Sequence, residues 1–148
     1  MMGRTDVKNA SGYVISVGRV GAYCGKFVAH RGDAWINNNA SYFILNAGTH
    51  PEWFFITLKN LDLENIRKGA AQPFVSNSDI EKLSILYAGD VLTTLFQQII
   101  SPIFHSIENY HKQNEQLREA RDILLPRLMT GVIDVESYDP AKLLKEAA

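Results

Sequence analysis

The residues best able to do chemistry in this chain are one cysteine, four histidines and three closely spaced glycines. Cys24 and His30 have the residue types of a nucleophile and its base. Nothing in the neighbouring sequence orients His30, however, and a lone cysteine commonly fills a small core position. His30, His50, His105 and His111 are scattered, and with one cysteine they do not make the spaced ligand set of a zinc site. Gly18, Gly21 and Gly25 fail the dinucleotide-binding pattern, whose glycines lead from a strand into a helix. Here a second strand follows, so they read as hairpin glycines supplying positive φ. No paired-carboxylate site stands out before the long helix. The residues point to a protein that binds rather than catalyses, with no metal or cofactor of its own.

What remains is a surface suited to binding. Arg19, Tyr23, Lys26, Arg31, Asn37, Asn38, Asn39, Lys68 and Gln72 all fall in or beside loops. Lys and Arg can meet phosphates, while Asn and Gln can read adenine edges in the major groove. Each residue alone also reads as a turn former or a solvated charge; as a group they make DNA the candidate ligand. Charge is distributed in the same sense. Residues 1–88 carry nine Lys/Arg against seven Asp/Glu, and residues 89–148 six against nine. A locally basic head on an acidic tail fits a polyanion-binding head.

The elements that must position these residues follow from pattern. Tyr13–Val17 and Lys26–Ala29 are β-rich and separated by the glycine-punctuated connection. Arg31-Gly32-Asp33 is a turn, Ala34–Ile36 a third strand, and Ala40–Leu45 a fourth after the Asn37–Asn39 break. Pro51 or Glu52 to Leu61 reads as a helix, with Trp53, Phe54, Thr57, Leu58 and Leu61 at helical spacing. Lys68–Pro73 is an exposed loop. Ser76-Asn77-Ser78-Asp79 has the form of a capping box for a short helix through Lys82, and Leu83–Leu86 reads as another strand.

From Asp90, the expected cap, to Leu125 runs an unbroken four–three repeat. Phe96, Ile103, Tyr110, Leu117 and Leu124 take one seam position; Ile100, Ile107, Asn114 and Arg121 take the other. A helix of that span is roughly 50 Å long at about 1.5 Å per residue. That is too long to be covered by the rest of the chain, so part of the seam needs a partner helix. Asn114 is a polar seam residue of the kind that fixes register. Pro102 should kink or break the helix, leaving Val91–Ser101 and Pro102–Leu125 as two segments. Pro126 should stop it. Arg127–Gly131 is a short turn closed by Gly131, Val132–Val135 a short strand, and Pro140–Ala148 a loose helix or tail. The expected fold is α+β: a small, curved, mostly antiparallel β head at 1–88, a long helical coiled-coil arm at 89–131, and a strand and tail at 132–148.

Hydrophobic content of 46% and charged content of 21% are those of a soluble globular protein. No apolar run approaches a membrane span, and Met1–Ser11 has no secretory-signal pattern. The single cysteine excludes an internal disulfide and fits a reducing compartment, so a cytoplasmic location is expected.

The block Gly69-Ala70-Ala71-Gln72-Pro73, then Ile80–Leu86, then the long helix, then Leu117 to Val135 with its "R-D-x-L-L-P-x-L-M-x-G-x-I-x-V" ending, resembles the specificity subunit of type I restriction–modification systems. Gly21–Lys26 and Asn39-Ala40 resemble that family's target-recognition domains. The resemblance implies two recognition domains per subunit, each followed by a long helix. The two helices pack antiparallel and set the distance between two half-sites of double-stranded DNA. It implies a non-catalytic prokaryotic subunit carrying methyltransferase subunits, which bind S-adenosylmethionine, and restriction subunits. With one domain and one helix, this chain is expected to be half a subunit, either a truncated gene product or an excised fragment. Two copies, or this chain and a second half-subunit, would then pair through the seam. The alternative expectation is a truncated, DNA-inactive copy acting only as an interaction module through its helix.

Overall fold

The computed structural model describes residues 6–46 and 48–133. It is an α+β structure built on three antiparallel strands, β1 (Tyr13–Gly18), β2 (Phe27–Arg31) and β3 (Ala40–Phe43), in the order β2-β1-β3. β1 is central because its residues are apolar in near-continuous run: Val14, Ile15 and Val17 are all buried. Register pairs Tyr13 with Arg31 and Val17 with Phe27 on one side, and Ile15 with Phe43 on the other. Helix α1 (Pro51–Lys59) supplies Leu58 to the core, and Leu63, Val75 and Ile80 close it. Burying a side chain such as Leu58 stabilises the fold by about 2 kcal/mol. Phe43 joins the layers through an edge-on contact with Phe54, ring centres 5.6 Å apart. Cys24 belongs to this core, and its thiol donates to the Arg19 carbonyl. His30 faces the Asp33 carbonyl instead.

Helix α2 (Asn77–Glu81) starts as its sequence requires. Ser76 accepts from the Asp79 N–H while Asp79 accepts from the Ser76 N–H, a complete capping box. Helix α3 spans Asp90–Met129. Two compact units divide the chain, Met1–Pro102 and Ile103–Ala148. The first holds the sheet, α1, α2 and the opening turns of α3.

Within that first unit, α3 begins on a buried polar cluster. Glu52 has no exposed surface; Arg31 donates to one of its oxygens and the Gln97 side-chain amide to the other. Gln97 Oε1 in turn accepts from the Trp53 N–H at 3.3 Å, and His50 Nε2 lies 3.1 Å from Thr94 Oγ1. A buried carboxylate is tolerable only when its lone pairs are met in this way.

Several expected elements differ. Ala34–Ile36 is not a strand: Ala34 makes one bridge to Ala10, and both backbone groups of Ile36 are taken by the Asn9 side-chain amide, at 2.8 and 2.7 Å. Leu83–Leu86 alternates inward and outward, with Leu83 and Ile85 against the core and Leu86 exposed, but among the described residues no strand pairs with it. Asp90 is the first residue of α3 rather than its cap. Tyr87 donates to its carboxylate, which raises the phenol's pKa, and Thr93 Oγ1 donates to the Gly89 and Asp90 carbonyls.

Neither Pro102 nor Pro126 interrupts α3. Each removes a single rung from a forty-residue ladder, a local cost of about 3 kcal/mol that the flanking turns absorb. The helix ends only where a left-handed residue is available, at Gly131 (φ +71°), whose N–H returns to the Leu128 carbonyl. In the second unit every residue from Asn109 to Thr130 is exposed. Val132 and Ile133 form a bend; the remainder of the expected strand, Asp134-Val135, and the expected helix or tail at Pro140–Ala148 lie outside the described residues.

Candidate nucleic-acid interface

Eight of the nine sequence-predicted DNA-binding residues gather at the Gly18 end of β1. Two tight turns bring them there. At Gly18 an added Cβ would lie 2.2 Å from the Tyr23 carbonyl oxygen, so only glycine lets the 3-10 turn Gly21–Tyr23 fold back onto the strand end. At Gly69 (φ +86°) a Cβ would lie 2.5 Å from the Gln72 carbonyl oxygen, so the 68–74 loop closes as a hairpin in which Lys68 and Phe74 exchange backbone hydrogen bonds. Gly21 N–H donates to the Pro73 carbonyl and joins the two turns.

One group on this end is Tyr23, Lys26, Lys68 and Gln72. Tyr23 is 72% exposed, with the Lys26 ammonium 5.1 Å from its ring centre. Lys26 meets no carboxylate among the described residues. Lys68 Nζ donates to both oxygens of Asp79, at 2.9 and 2.8 Å. That bond, together with the Ser76 hydroxyl, holds Asp79 at a pKa of about 2. The Gln72 side chain is exposed.

The other group is Arg19 with Asn37, Asn38 and Asn39. Arg19 is a brace: its guanidinium donates to the Asn38 carbonyl (2.7 Å) and to Asn77 Oδ1 (3.2 Å). Its backbone bonds to Asn39 and Val75. Asn37 Oδ1 accepts from the Asn39 N–H, fixing the turn. An open cavity of about 310 Å³ lies here, and Asn9, Ser41, Tyr42 and Asn77 line it as well.

Arg31 stands apart. It is at the other end of β2, four residues from Phe27 or about 13 Å along a strand. Its guanidinium lies 4.8 Å from the Tyr13 ring centre and is bonded to buried Glu52.

The seam residues are exposed along α3: Phe96 37%, Ile103 50%, Ile107 45%, Tyr110 64%, Leu117 67% and Leu124 46%. Ile100 is half-buried, Asn114 is exposed, and Arg121 bonds the neighbouring Asp122. Among the described residues no group of His, Cys, Asp or Glu could hold a metal ion, and no helix is long and apolar enough to cross a membrane.

Comparison with known proteins bears on this arrangement. No family model matches the chain. Over 69 residues, 47% of this chain and 16% of the relative, it is 36% identical to the type I restriction enzyme MjaIX specificity subunit of Methanocaldococcus jannaschii. Over 87 residues, 55% of this chain and 19% of the relative, it is 29% identical to the HindI specificity subunit of Haemophilus influenzae. The crystal structure of a type I restriction–modification S subunit from M. genitalium superposes with a TM-score of 0.68. The chain resembles a type I specificity subunit.

The superposition covers 87% of this chain and 36% of the solved one at 21% identity, which speaks to the shared α+β fold. The matched stretches span less than a fifth of either sequence relative. In this specificity-subunit-like chain, Asn9, Ser41 and Asn77 line the cavity but are not among the sequence-predicted residues. Asn77 carried a signal, since it sits inside the capping-box motif beside the loops. Asn9 carried none, because its partner Ile36 is 27 positions away.

Proposed function

We propose that this chain is a DNA-reading and spacing part of a type I restriction–modification specificity subunit. The observation that carries the reading is the pairing of a recognition head, with its amide and cation surface at one end of the sheet, with a forty-residue helix whose apolar seam lies exposed in the single chain. The likeness to specificity subunits supports it. The head contacts double-stranded DNA through the Tyr23, Asn37–Asn39 and Lys68–Gln72 loops. Phosphate contacts supply affinity that falls steeply with salt, and base-edge contacts supply specificity.

The helix pairs with a second copy, or with another half-subunit, through Phe96, Ile100, Ile103, Ile107, Tyr110, Asn114, Leu117, Arg121 and Leu124. A two-fold dimer of this kind presents two reading heads at a set distance. The chain is non-catalytic and cytoplasmic. It carries methyltransferase subunits, which bind S-adenosylmethionine, and restriction subunits.

The test is methylome sequencing of a host carrying this gene with a methyltransferase subunit. A split methylated motif that disappears when this gene is deleted supports the reading, and an unchanged methylome overturns it. Engagement of Arg19, Arg31 and Lys68 inside the fold favours one second reading, a DNA-inactive interaction module. Methyltransferase binding without DNA binding would establish that module.

A further inference from the structure

At the 310 Å³ cavity, the Asn77 side chain is held by two hydrogen bonds to its oxygen and its amide nitrogen is unused among the described residues. Its Oδ1 accepts from Arg19 at 3.2 Å and from the Ser41 hydroxyl at 2.6 Å. A guanidinium can only donate, so the oxygen, not the nitrogen, must face Arg19. Both lone pairs are then occupied, and a flipped amide would set its nitrogen against the Arg19 guanidinium, donor facing donor. Its Nδ2 is left as two donors on an exposed residue, with no partner among the described residues.

Asn37 on the same lining has the same bias. Asn37 has its oxygen committed to the Asn39 N–H, and the Asn38 carbonyl is committed to Arg19. The buried Arg19 Nε also has no partner among the described residues. On both Asn37 and Asn77 the amide oxygen is committed, while the amide nitrogen makes no hydrogen bond among the described residues.

We infer that Asn77 is a specificity-determining residue, a preset donor pair that takes a hydrogen-bond acceptor of DNA at this cavity. The inference rests on the DNA-recognition reading above. Two sources carry that chemistry: the major-groove edge of a purine, with N7 and in guanine O6 as acceptors, and a phosphate oxygen. Ser41 is the matching positioning residue. It acts through Asn77, donating the second hydrogen bond that steadies the amide oxygen.

The experiment selects from a randomised double-stranded DNA library with the full-length chain and with Asn77→Asp, Asn77→Ala and Ser41→Ala. Asn77→Asp keeps an oxygen for Arg19 and Ser41, and so keeps the fold, while replacing the donors with an acceptor. It is expected to lose the purine preference at one position by about tenfold, with other positions unchanged. Ser41→Ala removes one of the two bonds on the amide oxygen, leaving Arg19 alone to hold it, and is expected to broaden the preference at that same position by less than Asn77→Asp does.

Weakening by Asn77→Asp that is uniform across sequences assigns the acceptor to a phosphate, and still supports a donor site at Asn77. A folded Asn77→Asp and a folded Asn77→Ala that both bind and select like the parent overturn the inference alone. A parent chain that neither binds nor enriches any sequence overturns the inference together with the reading on which it rests.

Discussion

Arg31, the last residue of β2, donates its guanidinium to the carboxylate of Glu52, a side chain with no exposed surface. A cation that resembles a phosphate contact in sequence is thus the counter-ion of a buried acid. Removing one partner of such a pair leaves the other charge stranded. Arg31→Ala is expected to destabilise the fold by about 3–5 kcal/mol, read by urea denaturation. At salt concentrations where the variant stays folded, the salt dependence of DNA binding should match the parent's. A stable variant with a shallower salt slope would place Arg31 on DNA.

Asp79 is held at a pKa of about 2, first by Lys68 and then by Ser76, against 3.8 for an unperturbed carboxyl. Its folded value lies below its unfolded one. The stabilisation is therefore complete above about pH 4 and is lost as pH falls towards 2. Thermal melts of the parent and Asp79→Asn should differ at neutral pH and converge near pH 2. A gap that persists at pH 2 would assign the effect to shape rather than charge.

Ile107 occupies the middle of the seam and is 45% exposed in the single chain. If two copies pair there, a carboxylate at this position is buried without a partner. Sedimentation at high micromolar concentration should show a dimer for the parent and a monomer for Ile107→Asp. A monomeric parent would remove the pairing from the account.

The side chains of Asn38 and Gln72 make no hydrogen bond among the described residues, so truncating either should leave the melting temperature within a degree or two. Asn38→Ala and Gln72→Ala are nonetheless expected to reduce discrimination between a cognate and a scrambled duplex by about 1–3 kcal/mol each. Competition binding at fixed salt measures this. Unchanged discrimination in both variants would move the recognition surface elsewhere.

What could be read in the residue order was local. The Ser76–Asp79 box, the Pro51 helix start and the Gly131 stop each depend on contacts within a few residues, and each appears where the pattern puts it. Two of the errors come from pairing with residues far along the chain. Ala34–Ile36 looks like a strand until Asn9 occupies Ile36, and Leu83–Leu86 has strand alternation but finds no neighbour. Pro126 carries the local signature of a stop, yet the turn after it still closes, with Thr130 N–H bonded to the Pro126 carbonyl. The same division holds at the candidate site. Loop residues were recognisable by type, but type does not tell which cation turns inward. Arg19 and Arg31 brace the fold, while Lys26 stays outside.

Cys24, only 3% exposed and bonded to the Arg19 carbonyl, makes the head a reporter of its own opening. Because it is the sole thiol in the chain, a maleimide has one place to react, and reaction waits on the exit of that side chain from the core. Labelling rate then reads the breathing of the head directly.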